Sequence, residues 1–169
     1  SLIFFAFQLY LDFAAYSEIA KGIGKLLGFE VMANFKRPYL SRSFKEFWKR
    51  WHISLSSWFM DYVYIPLGGN RKGEARRIIN LMIVFFLSGL WHGASLTFVL
   101  WGILNGFFVI VFDRIFKAGK RINSFIVFIS WSLSLILFRA PDVNFATEFT
   151  KHLFEYNGID MVEAFLGSA

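Results

Sequence analysis

Apolar and polar positions fall into long blocks along this chain. Residues 2–20 form a first apolar block, interrupted by Asp12 and Glu18 and closed by Gly22, Gly24 and Gly28. A basic stretch follows over residues 34–50, where Lys36, Arg37, Arg42, Lys45, Lys49 and Arg50 stand against a single acid, Glu46. Pro38 favours irregular or turning backbone here. Ser43 followed by Glu46 has the form of a helix capping box, with Phe44, Phe47, Trp48 and Trp51 at helical spacing behind it. The spacing predicts an amphipathic helix with aromatic side chains on one face and Lys45, Lys49 and Arg50 toward the other. Such a helix suits the interface plane of a membrane. From Tyr62 to Gly73, one proline, three glycines and an asparagine mark a loop.

The longest apolar block runs between Arg77 and Asp113, thirty-five residues with one ionisable side chain, His92. As one helix it would be ~52 Å long, well past a hydrocarbon core of ~30 Å. Two short or broken helices, turning somewhere among Gly89, Gly93, Gly102 and Gly106, fit better. That hairpin would set the flanking patches, Arg71 to Arg77 and Arg114 to Arg121, on one side of the layer, as the positive-inside tendency favours. Residues 122–138 are apolar again and end at Arg139-Ala140-Pro141. The reading divides the chain into a membrane-embedded core, 1–140, and a mixed polar connecting or interfacial segment, 141–169. Because the sequence opens inside an apolar run, it reads as a fragment of a longer multi-pass protein.

Composition supports the membrane. The chain is 56% hydrophobic and 18% charged, against roughly 45–50% and 25% in soluble domains. Its net charge of +6 lies in short patches between apolar runs, the pattern of loops beside spans, so no nucleic-acid partner is implied. With no cysteine, disulfides, thiolate metal sites and a cysteine nucleophile are excluded. The histidines are far apart and lack HExxH spacing, so no metal is expected. The expected class is all-α: a multi-pass transmembrane protein with broken or re-entrant helices.

An ionisable side chain at membrane depth is a functional candidate by default. His92 follows Trp91, and His52 follows Trp51. Away from water the imidazole is favoured in its neutral form. It can then take a proton from a hydroxyl and return it to a leaving group. The competing reading makes His92 a hydrogen-bonded packing residue and His52 an ordinary interfacial polar group. Ser88, four residues before His92, could share its helix face. His152 lies in the polar tail and reads as a surface residue. A transporter or assembly scaffold is the rival from another class. Transporters more often show paired repeats and carboxylates at midplane depth; no repeat is visible here, and the longest apolar block holds no carboxylate.

A run of motifs sharpens this. The string from Asn34 to Ser56, NFKRPYLSRSFKEFWKRWHISLS, resembles the signature of the membrane-bound O-acyltransferase (MBOAT) superfamily. Leu11-Asp12-Phe13-Ala14-Ala15-Tyr16-Ser17 before it and Ser88-Gly89-Leu90-Trp91-His92-Gly93-Ala94-Ser95 after it resemble flanking family motifs in the same order. The segment Tyr64 to Gly73 looks like the branch that includes alginate O-acetylases. The resemblance covers roughly residues 7–115. Ala15 stands where many relatives have Gly, and Met60 where many have Arg; both histidines are kept.

The resemblance implies an O-acyltransferase core with His92 and His52 as catalytic residues. Trp48, Trp51, Ser54, Trp91, Ser88 and Asn105 are expected to line the substrate tunnel, although core packing explains the tryptophans equally well. It further implies an acyl thioester co-substrate, acetyl-CoA or an acyl carrier, with no bound cofactor. The expected acceptor is a hydroxyl of a cell-envelope polysaccharide, and the expected partners are the lipid bilayer and a periplasmic acyltransferase protein.

Overall fold

The computed structural model describes residues 1–115 and 120–154. All regular structure among them is helical. In chain order the elements are α1 (Leu2–Leu26), a 3₁₀ turn (Pro38–Leu40), α2 (Phe44–Trp48), α3 (Ile53–Phe59), a π-helical turn (Met60–Tyr64), α4 (Gly73–His92), α5 (Leu96–Ile115), α6 (Lys120–Arg139) and α7 (Val143–Phe154).

The first apolar block becomes a helix six residues longer than its apolar run, because Gly22 and Gly24 stay inside it. It ends at Leu26 with Leu27 as its C-cap, and Gly28 takes the left-handed backbone (φ 80°) that turns the chain back. Gly24 is needed for that return: a Cβ there would lie 2.6 Å from Val31 Cγ2. By length and composition α1 is the one described helix able to cross a membrane, while Leu96–Phe112 and Asn123–Arg139 are shorter apolar stretches. Much of α1 is exposed, including Phe4, Leu11, Tyr16 and Ile19.

The long apolar block folds as the hairpin its glycines imply. The α4 helix stops at His92, three residues turn, and α5 returns along it. Glycines make the approach close enough to be intimate. A Cβ on Gly89 would collide with the Phe98 carbonyl oxygen, and one on Gly102 with that of Phe85. A Cβ on Gly106 would stand 3.0 Å from Met82 Sδ. Small residues at a helix seam let backbones pack directly, which is how helices associate where no hydrophobic drive separates protein from lipid.

The amphipathic helix expected over the aromatic stretch is much shorter and lies inside the protein. The Ser43 cap is present, with the Glu46 N–H donating to Ser43 Oγ at 3.1 Å. Glu46 reaches back to the Arg42 N–H at 2.7 Å instead of the cap residue's own. Yet α2 stops at Trp48, and its Phe44 and Phe47 are fully buried. Phe44 packs on Phe108 of α5 (4.7 Å between centroids) and Phe47 on Trp131 of α6 (4.5 Å). With Trp51, Phe85, Trp101, Val109, Val127, Leu135 and Ala6 they form the main core. The aromatic face therefore met protein on several sides, not lipid on one.

Beyond Pro141, where a connecting or interfacial segment was expected, the chain starts a further helix. Asp142 caps α7 by accepting the Phe145 N–H at 2.8 Å. Ala146 and Phe149 then pack against Ile136 and Ala140. Residues 155–169 lie outside the described part.

Candidate active site

Two separate pieces of backbone bring the histidines to one place. His92 is the last residue of α4, at the break before Gly93, whose extended backbone (φ 159°, ψ 164°) leads into α5. A Cβ on Gly93 would stand 2.9 Å from the Phe98 ring. His52 is the residue before α3 and holds a left-handed backbone, φ 43° and ψ 57°. That conformation is uncommon for a residue with a Cβ, and such strain gathers at functional sites.

Both imidazoles line a cavity of about 620 Å³. His92 meets Trp101 and Phe138 edge-on, at 5.1 and 5.0 Å between centroids. His52 lies 6.1 Å from the Phe13 ring and 6.3 Å from Phe35. The Trp91 ring stands edge-on to both, at 5.0 Å from His92 and 6.0 Å from His52. Leu81, Val84, Phe85, Trp131 and Leu135 complete much of the apolar wall. Two half-buried imidazoles on the wall of a mostly apolar cavity can exchange a proton with a guest hydroxyl.

The other residues expected in the tunnel divide into two groups. Trp48, Trp51 and Ser88 line the same cavity. Trp91, Ser54 and Asn105 do not. Trp91 is 56% exposed and touches the histidines from outside the lining. Ser54 is engaged through its backbone, donating its N–H to Asn34 Oδ1 at 3.0 Å. Asn105 is buried in the hairpin, where its Nδ2 donates to the Trp101 carbonyl at 2.8 Å. Ser95 stays in the turn, its hydroxyl 2.9 Å from that of Thr97.

The lining also contains polar groups that the sequence reading passed over: Lys45, Lys49, Asp61, Tyr64, Asn70 and Arg77. Asp61 and Tyr64 belong to the π-helical turn, which places an extra residue in the ladder and swings side chains off the α3 register. The Gly-rich loop that carries Asn70 is pinned by buried Asn80, whose Nδ2 donates to the carbonyls of Gly69 (2.9 Å) and Leu67 (3.3 Å). A polar Asn80 inside the long apolar block was the available signal.

At the polar foot of the hairpin, Arg77 of α4 and Arg114 of α5 both bind Glu74. Hydrogen bonds from Arg77, then from Arg114, hold the Glu74 carboxyl well below the usual carboxylate range, at about 2. Among the described residues, no three His, Asp or Glu side chains gather where they could hold a metal ion.

The sequence model of the MBOAT, membrane-bound O-acyltransferase family, matches residues 1–140. The chain is 40% identical over 163 residues to a protein of Pseudomonas syringae pv. tomato named "Probable alginate O-acetylase AlgI", covering 92% of the chain and 31% of that protein. It is 36% identical over 165 residues to the peptidoglycan O-acetyltransferase of Helicobacter pylori (93% and 31%). The teichoic acid D-alanyltransferase of Streptococcus thermophilus is 35% identical over 130 residues (70% and 30%). The chain thus spans about a third of the length of the curated relatives it matches.

Proposed function

This chain belongs to the membrane-bound O-acyltransferase family, and from that premise we propose that it carries the reaction centre of an enzyme that O-acylates a cell-envelope polysaccharide, with acetyl as the acyl group. The similar proteins act, by their names, on alginate, peptidoglycan and teichoic acid. The common element is an acceptor hydroxyl on an extracellular polymer. The donor is an acyl thioester, acetyl-CoA or an acyl carrier.

One observation carries the reading: His52 and His92 come from distant parts of the chain and line one mostly apolar chamber. His92, in its neutral form, takes the proton of the acceptor hydroxyl as the oxygen attacks the thioester carbonyl. Negative charge moves to the carbonyl oxygen, and a donor on His52 or an ordered group beside it stabilises that charge. The C–S bond then breaks, and the leaving thiolate takes the proton from His92. The ester is formed and His92 returns to neutral, so the proton count closes.

The protein is multi-pass in this reading and sits in the cytoplasmic membrane. The thioester enters from the side of the Arg77–Arg114 foot, where Lys45, Lys49 and Arg77 line the same chamber. The acceptor enters from the opposite side, where a periplasmic acyltransferase protein is the expected partner. The test is acyl transfer by the full-length protein with and without the His92 imidazole: ester-linked acetyl on the envelope polysaccharide should fall with His92→Ala.

A further inference from the structure

His52 stands at the N-cap position of α3 yet contributes no capping hydrogen bond from its side chain. A helix start leaves its first backbone N–H groups unsatisfied, and a cap residue such as Ser, Asp or Asn normally meets them with its own side chain. Here the need is met from eighteen residues upstream. The Ile53 N–H donates to the Asn34 carbonyl at 3.0 Å, and the Ser54 N–H donates to Asn34 Oδ1 at 3.0 Å. One residue, Asn34, thereby caps α3 with both its backbone and its side chain.

The surrounding bonds make the two segments a short clamp. The Lys36 N–H donates to the Arg50 carbonyl at 3.0 Å, so pairing flanks His52 on both sides. Arg50 also binds Glu46 and reaches the Arg37 carbonyl at 3.5 Å. Arg37, like His52, has a left-handed backbone (φ 48°). Phe35, held between Asn34 and Lys36, packs its ring on both Trp51 (5.1 Å) and His52 (6.3 Å). The left-handed turn at His52 is thus over-determined by its neighbours, which is the condition for such strain to persist.

We propose that Asn34 is the positioning residue of this site. By capping α3 in place of His52, it relieves the imidazole of that task and fixes its aim into the cavity. The catalytic meaning rests on the O-acyltransferase reading above; the geometric claim does not. Asn34 touches no guest itself, and its effect passes through the backbone of residues 52–54.

The test uses the full-length protein in native membranes, with diethyl pyrocarbonate as the imidazole probe and mass spectrometry to read each histidine. Asn34→Asp keeps an acceptor oxygen of the same reach, and Asn34→Ala removes it. The expected result is that His52 labelling rises about fivefold in Asn34→Ala through local opening, stays near wild type in Asn34→Asp, and leaves His92 labelling unchanged. Acyl transfer should fall on the order of 10- to 100-fold in Asn34→Ala, with donor KM unaltered, because a misplaced group costs rate before it costs binding. Should Asn34→Ala fail to accumulate, Asn34→Ser serves, since its shorter side chain cannot span to the Ser54 N–H. Equal His52 labelling in wild type and in the variant lacking the acceptor would overturn the proposal. If labelling shifts as stated while wild type itself transfers no acyl group, the positioning stands and the functional reading fails.

Discussion

At the scale of single residues, the decisive feature is the left-handed backbone of His52. For a residue with a Cβ this region costs roughly 1–2 kcal/mol, and glycine enters it freely. At an ordinary helix N-cap glycine is already preferred to alanine, by on the order of 0.5–1 kcal/mol. Here the left-handed backbone adds to that preference, so His52→Gly should be more stable than His52→Ala by about 2 kcal/mol, read as the higher melting temperature of the purified protein in detergent. A difference no larger than that of an ordinary N-cap, or a more stable alanine variant, would mean that position 52 is not held left-handed. Neither variant should transfer acyl groups at the wild-type rate, since both lose the imidazole. The sequence marked His52 by the Arg-Trp-His string but carried no local sign of its backbone. That conformation depends on Asn34 and Lys36, whose bonds to residues 50–54 are non-local and invisible to helical spacing. The same long-range clamp explains why α2 ends at Trp48 where periodicity would carry it to Trp51.

At the scale of elements, the α4–α5 hairpin is the frame that presents His92. Its existence was legible, because one helix of that length overruns a bilayer and glycines punctuate the block. Which glycine turns and which ones pack was not. Gly93 lies in the break, while Gly89, Gly102 and Gly106 are seam residues inside helices. Their roles differ in what a methyl group would strike. On Gly102 it strikes the Phe85 carbonyl, which is rigid backbone; on Gly106 it meets chiefly the flexible end of Met82 and the Phe85 side chain. Gly102→Ala should therefore destabilise the protein by about 1–3 kcal/mol, as overpacking of a tight seam does, and Gly106→Ala by less. Thermal denaturation of the two variants in detergent checks the order, and a reversed order would contradict this account of the seam. The π-helical turn that brings Asp61 and Tyr64 to the cavity wall also escaped the sequence reading. An inserted ladder residue leaves no mark on hydrophobic spacing.

At the scale of the whole molecule, the hairpin joins the two basic patches at one end. Arg77 before the apolar block and Arg114 after it share Glu74, so the expectation that both patches face the same way is met for these two residues; Lys117 and the side chains of Lys120 and Arg121 lie outside the described part. This chain has no cysteine, so with any cysteines elsewhere in the full-length protein replaced, single cysteines introduced at Lys72 and at Arg114 report without background. In the full-length protein, a membrane-impermeant maleimide should label both from the cytoplasmic face of inverted vesicles and neither in intact cells. Labelling of the two from opposite faces would reject the hairpin as a membrane element. The helical class and both histidines were readable from the sequence, whereas the cavity was not, since its wall draws on α1, α2, α3, the π-helical turn, α4, α5 and α6 at once.

The central claim is that His92 moves the proton of the acceptor hydroxyl. The most direct measurement compares wild-type full-length protein with His92→Ala at matched membrane abundance, following ester-linked acetyl on the envelope polysaccharide by NMR. A general base of this kind contributes on the order of 10²- to 10⁴-fold, so the account predicts acetylation reduced to background with protein levels unchanged. Acetylation retained at the wild-type level would contradict it and leave His92 as a packing residue at the end of α4.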